Sequence, residues 1–534
     1  MRKNRESPKA GPGIIFLLGA ETIVMKRDGA TPSPWQEGIE DYTPRESGFP
    51  AKTFDVIIAG GGITGVTTAL LLQQMGLSCV IAEAQGLCFG TTGGTTAHLN
   101  TFFDTTYDQV ASDFGESGAQ LLHTAAREAL DLIKSNIAHY KIDCQFEEKD
   151  GYVYAQGAKQ TDKLDKLFQG SVTAEAEIAY TKSIPVPVPF DKAVVYHGQA
   201  QFHPTRYVMA LAKAFEDAGG VILQQCRVES HAGTDTLEVV TTKGTLRGRY
   251  LVFATHIPQG VNLLHFRCAP YRSYAMAVTL ADDAYPDGLA YDLYEPYHYY
   301  RTQEVNGRKY LIAGGEDHKT AHVTNTEQCF TQLDSYLRKY FNVAHIDYKW
   351  SSQFFEPTDG LAYIGQLPGN GENVFVATGF SGNGMTYSHI AAITLTGLIA
   401  KGVSPYEDLF RPGRVKPVAG FAAFVKENAD VVKEFVGKRL KKEKLTELAE
   451  LAPGEGRVVS YEGESVGLYK DESGKIYAVN PVCTHVKCLV DWNNSEKTWD
   501  CPCHGARYSI TGEVLTGPAR HDLDVIHLDE LGED

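Results

Sequence analysis

Short apolar runs and helical stretches alternate along the first two thirds of the chain. Residues 54–59 form an apolar run typical of a strand that is buried on both faces. Glycines follow at 60–65, then a helical stretch over 66–75 and a second apolar run over 78–82. This order predicts a tight strand–helix–strand unit with the glycines in its first turn.

The rest of the chain divides by pattern. Helical and strand-like stretches alternate up to residue 405, whereas residues 453–534 show only short β-like runs and turns. We therefore predict an α/β part over 53–405 that contains a run of strands, a connector over 406–452 and a small all-β domain over 453–534. The supporting stretches are a helix over 107–140, a helix and strand over 205–223, strands over 228–256 and 271–315 with a hairpin turn at Asn306-Gly307, a helix over 327–341, a strand over 373–377, a helix over 386–400 and a charged helix over 426–444.

Length and composition narrow the class of protein. A chain of 534 residues is too long for one core, because single cores stop growing near about 250–300 residues. The net charge of −16 argues against nucleic acid or an anionic membrane surface as a partner. No apolar run reaches the length of a membrane span. Six of the ten cysteines are scattered, which favours a reducing compartment and a cytoplasmic protein.

The N-terminal residues 1–52 are rich in proline, glycine and charge, and we predict a poorly ordered arm. Residues 13–20 resemble a short signal-peptide core, but no clean cleavage site follows them. Translation from Met25 rather than Met1 is the interpretation we favour.

The glycines at 60–65 satisfy G-x-G-x-x-G, and each one has a physical role. Gly60 makes the turn, Gly62 lets the backbone approach a pyrophosphate, and Gly65 lets helix and strand pack closely. Glu83 ends the second strand, where a carboxylate accepts a hydrogen bond from a ribose hydroxyl. A glycine-rich turn alone is a weak signal. Here the strand before the turn, the helix after it and the acidic residue at the expected spacing together predict a dinucleotide-binding site.

The same region resembles the glycine oxidase and D-amino-acid oxidase superfamily of FAD enzymes. The resemblance covers roughly residues 53–405 and is strongest at its ends, in a hydroxyl-rich loop at 90–96 and a glycine-rich loop at 379–385. It implies FAD rather than NAD, a Rossmann-like nucleotide domain and an interleaved antiparallel β substrate domain. The further cofactor-binding residues that it implies are Thr95, Thr96, Val228, Gly379, Gly382, Asn383, Gly384 and Met385.

Four cysteines and two histidines cluster near the C-terminus as C-x-H-x-x-C and C-x-C-H. Two thiolates and two imidazoles suit a [2Fe–2S] cluster of the Rieske type, in which each pair of ligands holds one iron. Structural zinc takes the same ligand types, but it explains neither the additional cysteine pair nor the loop around Gly512 and residues 517–519. A protein that held zinc at this site would be colourless, so a visible absorption spectrum distinguishes the two metals.

The cluster resembles the Rieske family, and the resemblance implies the role of each residue. The implied ligands are Cys483, His485, Cys501 and His504, and the implied disulfide joins Cys488 to Cys503. A disulfide is unusual in a cytoplasmic protein, so that pairing is the part of the assignment most in need of a test.

The sequence contains no comparable motif for the residues that contact the substrate. Candidate substrate contacts in the strand-like runs are Arg272, Tyr294, His298, Tyr300 and Arg301. An arginine there could pair with a carboxylate, although sheet-surface aromatics and a solvated arginine explain the same pattern. His98 follows the threonine loop, where a hydrogen-bonded core histidine is the simpler interpretation.

Three functions fit these features. In the first, a small organic substrate such as an amine or amino acid gives a hydride to FAD, and electrons pass singly to the cluster and an external acceptor. In the second, FAD and the cluster exchange electrons with an external redox protein without an organic substrate. In the third, oxygen oxidises the flavin directly and the cluster is structural or a redox sensor.

One departure from the Rieske pattern predicts a measurable effect. Ala506 stands where the family often has a serine that donates to a cluster sulfur, and Lys487 stands where it often has glycine. Tyr508 keeps a second donor, but loss of the first disfavours the more negative reduced cluster. Ala506→Ser should therefore raise the reduction potential in protein-film voltammetry. An unchanged or lower potential would contradict this account.

Overall fold

The computed structural model describes residues 15–18, 21–24, 27–46, 48–414, 443–444, 451–461 and 464–527. The strands are β1 Ile15–Leu18, β2 Glu21–Val24, β3 Thr53–Ala59, β4 Cys79–Ala82, β5 His98–Leu99, β6 Glu147–Ala155, β7 Ile178–Thr181, β8 Lys192–Gln201, β9 Val221–Leu223, β10 Val228–Ala232, β11 Leu237–Thr241, β12 Gly244–Phe253, β13 Cys268–Leu280, β14 Leu289–Asp292, β15 His298–Val305, β16 Arg308–Lys319, β17 Val343–Pro357, β18 Tyr363–Gln366, β19 Val374–Thr378, β20 Glu443–Lys444, β21 Gly456–Tyr461, β22 Glu464–Lys470, β23 Ile476–Val479, β24 Asp491–Asn493, β25 Thr498–Asp500, β26 Arg507–Tyr508 and β27 Val514–Thr516.

Among the described residues, the α-helices lie between residues 63 and 410. They are α1 Ile63–Gln74, α2 Thr91–Gly94, α3 Tyr107–Phe114, α4 Glu116–Tyr140, α5 Ala158–Thr173, α6 Pro204–Asp217, α7 Glu327–Tyr340, α8 Gly384–Thr396 and α9 Glu407–Phe410. Single turns of 3₁₀-helix occupy Pro34–Gln36 and Leu263–Phe266, and Gly397–Lys401 extends α8 as a π-helical turn. The predicted helix over 107–140 is divided in two at Gly115, whose φ of +85° is incompatible with a continuous helix.

A largely parallel sheet carries the predicted strand–helix–strand unit. Its order is β10-β11-β12-β3-β4-β9, with β19 beside β12 and β18 beside β19. The strands β3, β4, β9, β12 and β19 run parallel, and β4 is buried along its whole length. Continuous apolar runs are expected in such strands because helices or other layers cover both faces. Helix α1 follows β3 directly, which confirms the nucleotide-binding fold.

A second, mainly antiparallel sheet is built from insertions between strands of the first. Its order is β17-β13-β16-β15-β14-β6-β8-β5, with β7 paired to β8. The β15–β16 hairpin turns at Asn306 and Gly307, both with positive φ, as the sequence predicts. Helix α7 covers one face, where Leu333 and Tyr300 share a core. Residues of the other face, such as Ala277 and Ile312, share a core with Val56 and Ile58 of the first sheet. Because the strands of the two sheets alternate along the chain, the interleaved arrangement is confirmed.

The C-terminal region contains two small sheets, in the orders β20-β21-β22-β23 and β24-β25-β26-β27. The core between the cysteine loops holds Trp499 and Tyr508. Strand β20 corrects the predicted charged helix at residues 443–444, because these residues pair with β21. The rest of that predicted helix lies outside the described residues. The domain boundary near residue 453 stays a prediction.

Part of the N-terminal segment is packed rather than poorly ordered, which corrects the prediction for residues 27–46. Trp35 is fully buried and its indole donates to the Thr95 carbonyl at 2.5 Å. Tyr42 donates to Glu216 at 2.6 Å. The composition of this segment is typical of disorder. It gives no information on partners that are distant in sequence, such as Thr95 and Glu216. Met25 lies outside the described residues, so the choice of start stays open.

Six buried charges join the N-terminal segment, the antiparallel sheet and the C-terminal sheets. Every one of these side chains is at most 2% exposed. The three ion pairs are Arg27–Glu496 at 2.7 Å, Arg507–Asp28 at 2.7 Å and Arg272–Asp500 at 3.2 Å. Three arginines match three carboxylates, so the charges balance inside the interface. Although burial opposes it, the arginines hold the pKa of Glu496 and of Asp500 below the ordinary values.

Breaking one of these pairs should destabilise the protein. Arg27→Met leaves the buried carboxylate of Glu496 without its charged partner, which should lower the apparent free energy of unfolding by about 3 kcal/mol. The measurement is urea denaturation followed by tryptophan fluorescence. The matched control is Arg45→Met, which breaks a half-exposed pair with Asp217 and should change stability by less than about 0.5 kcal/mol. Equal effects of the two variants would contradict the role given to the buried pair.

Candidate functional site

The loop between β3 and α1 has positions that require glycine. Gly60 has a φ of +108°, in the left-handed region. A β-carbon at Gly65 would overlap the carbonyl oxygen of Gly60, so α1 could not approach the strand this closely with a larger residue. Helix α1 begins after Gly62, and its free N–H groups and dipole favour a phosphate at this end.

Glu83 follows β4 and fixes the same loop. Its carboxylate accepts from the backbone N–H of Gly61 at 2.5 Å and from that of Gln85 at 2.7 Å. Burial raises the pKa of Glu83, while these N–H donors and the charge of Arg227 oppose the shift. The carboxylate is thus oriented by the loop that it stabilises.

One large cavity extends from this loop to the antiparallel sheet. Three of the predicted cofactor residues are not among its described lining residues: Gly65, Gly379 and Asn383. Asn383 precedes α8 and accepts from the backbone N–H of Asp104 at 2.9 Å. The predicted residues that line the cavity are Gly60, Gly62, Glu83, Thr95, Thr96, Val228, Gly382, Gly384 and Met385.

The antiparallel sheet supplies the opposite wall. Tyr299, Ser273 and Trp350 line the cavity from β15, β13 and β17. The hydroxyl groups of Tyr299 and Ser273 are hydrogen-bonded at 3.0 Å, and the Trp350 indole donates to the Gly94 carbonyl at 2.7 Å. A wall of aromatic and small hydroxyl side chains suits a planar ring system and a small substrate.

The substrate contacts proposed from the sequence lie elsewhere, and none of them is in the described lining of the cavity. Arg272 is one of the six interface charges and also donates to Ser351 at 2.8 Å. His298 pairs with Asp292 at 2.9 Å and stacks on Tyr336 of α7. Although burial lowers it, hydrogen bonds to Asp292 and Glu316 raise the pKa of His298 to about 9.

The remaining candidates also lie away from the cavity lining. Tyr300 lies in the core under α7, and Tyr294 is half exposed. Arg301 donates to the carbonyl groups of Thr96 at 2.9 Å and Ala97 at 2.6 Å, so it holds the loop that lines the cavity. Their neighbour Tyr299 in β15 is the residue that lines the cavity, and the strand-like pattern alone could not show which side chains of this strand reach it. His98 bonds Tyr291 at 2.7 Å, in agreement with a core histidine.

Two acidic residues near the cavity, Asp104 and Asp317, were not predicted from the sequence. Asp104 accepts from the backbone N–H of Gly382, a lining residue, at 2.7 Å. Asp317 of β16 is close to Ser273, and burial raises its pKa to about 7 although the Ser273 hydrogen bond opposes the shift. A carboxyl group that titrates near neutral pH can accept a proton during a reaction. In the sequence, Asp317 is simply an aspartate in a strand-like run, and this feature is too common to identify a functional residue.

The cysteine–histidine loops come together in the C-terminal core. Cys488 and Cys503 form a disulfide, in agreement with the Rieske resemblance. Cys483 and Cys501 are buried free thiols that hydrogen-bond each other, and this bond lowers the pKa of Cys483 while it raises that of Cys501. Tyr508 places its hydroxyl 3.2 Å from the Cys483 sulfur, as expected for the second donor. Lys487 has a φ of +64°, which explains why glycine is frequent at that position.

The two histidines of these loops suit metal ligation. Their rings are 5.0 Å apart between centroids, and the Nδ1 atoms of His485 and His504 are buried without a hydrogen-bond partner among the described residues. Burial lowers the pKa of His485 to about 4 and that of His504 to about 3, so both rings are neutral at physiological pH. Two neutral imidazole nitrogens and two cysteine sulfurs, which bind iron as thiolates, are the donor set of a [2Fe–2S] cluster with mixed ligation.

The cavity and the cysteine–histidine loops meet at a common wall. Gln353 lines the cavity, and its side-chain amide donates to the carbonyl oxygen of Gly505 at 2.8 Å. Gly505 directly follows His504. The Nε2 atom of His485 donates to the carbonyl oxygen of Gly260 at 3.1 Å, and the His265 ring lies 4.6 Å from the His485 ring. Both imidazole-bearing loops therefore face the α/β part.

In the part of the chain that the structure describes, no helix combines the length and apolar character of a membrane-crossing segment.

This combination of a nucleotide cavity and a cysteine–histidine centre defines an oxidoreductase with two redox cofactors. The model of the FAD dependent oxidoreductase family matches residues 55–398, and that of the Rieske [2Fe-2S] domain matches residues 441–527. The chain belongs to the FAD-dependent oxidoreductase family and carries a C-terminal Rieske domain. It accordingly binds FAD and a [2Fe–2S] cluster.

Relatives support this assignment. The chain is 35% identical to the Rieske 2Fe-2S iron-sulfur protein YhfW of Bacillus subtilis, over 89% of this chain and 94% of that protein. It is 24% identical to gamma-glutamylputrescine oxidoreductase of Escherichia coli, over 69% and 89% of the two chains. Glycine oxidase from Geobacillus kaustophilus shares the fold of the α/β part, with a TM-score of 0.56 and 16% identity over 68% of this chain and 99% of that chain.

Proposed function

We propose that this protein is a dehydrogenase for a small amine or amino acid that delivers electrons one at a time through its cluster. The observation that carries the proposal is the shared wall: Gln353 lines the cavity and bonds the loop that contains His504. Two centres on either side of one side chain need no domain movement to exchange electrons. Relatives named for gamma-glutamylputrescine, glycine and L-proline support the substrate class.

We propose that the sequence-derived residues hold the two cofactors. Bound FAD would supply a two-electron acceptor, and the cluster a one-electron carrier. The loop after β3 and the N-terminus of α1 would bind the pyrophosphate, and Glu83 the ribose. The proposed cluster ligands are Cys483, His485, Cys501 and His504.

The chain's own contribution to substrate oxidation is proton transfer. An amine that gives up a hydride must also lose a proton to become an imine, which water then hydrolyses. The Tyr299 and Ser273 hydroxyl groups lead from the cavity toward Asp317, whose Oδ1 atom has no hydrogen-bond partner among the described residues. We assign Asp317 as the proton acceptor, reached through Ser273. The two electrons leave through the cluster to an external acceptor, in the cytoplasm that the cysteine pattern predicts.

Anaerobic titration tests the proposal directly. Protein loaded with FAD and cluster would be mixed with gamma-glutamylputrescine, glycine, L-proline and a wider set of amines and amino acids. We expect one of them to bleach the flavin absorption and produce the electron paramagnetic resonance signal of a reduced Rieske cluster. Bleaching only by a reduced redox protein would favour the alternative without an organic substrate. Peroxide formation that survives loss of the cluster would favour direct oxidation by oxygen.

Asp317 predicts the pH dependence of flavin reduction. A base with a pKa of about 7 is protonated and inactive below that value, so the reduction rate should rise as pH increases through about 7. Asp317→Asn should remove this rise and lower the rate at pH 8 by about 100-fold in anaerobic stopped-flow measurements. Glu304→Gln, at an exposed position of β15, is the matched control and should behave as the unmodified protein. An Asn variant with an unchanged rate and pH profile would exclude Asp317 as the acceptor.

A further inference from the structure

The C-terminal domain forms part of the wall of the nucleotide cavity. The lining residues come mainly from the α/β part, but four consecutive residues of the C-terminal domain join them: Val514, Leu515, Thr516 and Gly517. These residues include the whole of β27. A cavity that accepts one cofactor is therefore closed by the domain that carries the other.

This wall lies at the Glu83 end of the cavity. Arg227 lines the cavity, and its guanidinium donates to the carbonyl oxygen of Val514 at 2.8 Å and pairs with Asp522 at 3.5 Å. Asp522 in turn accepts from the Val514 backbone N–H at 2.8 Å. The charge of Arg227 also reaches Glu83, where it opposes the effect of burial on the pKa. The β27 segment is thus fixed beside the carboxylate proposed to bind the ribose.

Two polar atoms at this junction lack partners. The Thr516 hydroxyl and the Gln259 side-chain carbonyl are buried, and neither has a hydrogen bond among the described residues. Both residues line the cavity, and a β-carbon at Gly517 would lie 3.7 Å from Gln259. Buried polar groups are nearly always hydrogen-bonded, so two orphaned ones on residues that line the same part of the cavity point to a partner supplied from it.

We propose that Thr516 and Gln259 bind the adenosine half of FAD, so that the iron–sulfur domain is a structural part of the flavin site. The Thr516 hydroxyl can donate to a phosphate or ribose oxygen, and the Gln259 carbonyl can accept from a ribose hydroxyl or an adenine amino group. This inference rests on the proposed placement of FAD in the cavity.

The arrangement couples FAD binding to domain docking. The backbone N–H of Gly260 donates to the carbonyl of Pro518 at 3.1 Å, directly beside the shared wall. FAD contacts both sides of this junction and therefore binds the docked state more tightly than an undocked one. By reciprocity, docking of the C-terminal domain tightens FAD binding.

The test compares FAD affinity among matched variants of the full chain with intact clusters. Thr516→Val keeps the shape and removes the hydroxyl, so the dissociation constant should rise about five- to tenfold. Thr516→Ser keeps the hydroxyl and should stay close to the unmodified protein. Thr511→Val changes an exposed threonine of the same domain and should have no effect. The readout is the fluorescence of FAD released on serial dilution, with cluster content checked by visible absorption.

A further variant separates failure of this inference from failure of the FAD placement. Gly62→Val obstructs the proposed pyrophosphate site, since even a β-carbon there would lie 3.0 Å from Thr92. It should weaken FAD binding with an unchanged far-ultraviolet circular dichroism spectrum. If it does and Thr516→Val binds FAD normally, the role of the C-terminal domain is wrong and the placement stands. If Gly62→Val itself binds FAD normally, the placement fails, and this inference fails with it.

Discussion

Six charged side chains buried between the domains can stay there only while the domains remain docked. Separation would expose three arginines and three carboxylates that are now paired with one another, and loss of any one would leave a partner charged and buried. The pairs connect residues from three distant parts of the chain, so the N-terminal segment, the antiparallel sheet and the C-terminal sheets form one unit. Each of these charges finds its partner only in this relative position of the three parts, so an undocked arrangement would leave them unpaired.

That fixed position explains how the two cofactor sites relate. The cysteine–histidine loops face the α/β part, where Gln353 bonds the backbone beside His504 and Gly260 bonds His485. On the other side, β27 helps to enclose the cavity. Under the proposed function, electron exchange between the sites would require no large movement, and an external acceptor would dock on another surface of the C-terminal domain.

The sequence predicted those features whose physical cause is local. The strand, glycine turn and helix around Gly60 follow from apolar pattern and backbone sterics, and the hairpin at Asn306-Gly307 follows from its turn residues. The family resemblance correctly indicated both cofactors and the disulfide. The role of Arg272 could not be predicted, because its partner Asp500 is more than two hundred residues away. The roles proposed for Asp317 and Thr516 could not be predicted for the same reason, because they depend on a cavity that only tertiary packing creates.

The most direct test of the fixed arrangement is the kinetics of electron transfer between the two centres. Flavin would be reduced in an anaerobic single turnover, and the reduced-cluster signal followed by rapid freezing and electron paramagnetic resonance at several protein concentrations. The account predicts first-order appearance of the signal at a rate that does not change with protein concentration. A rate that rises in proportion to protein concentration would show that electrons pass between molecules, and it would contradict the account.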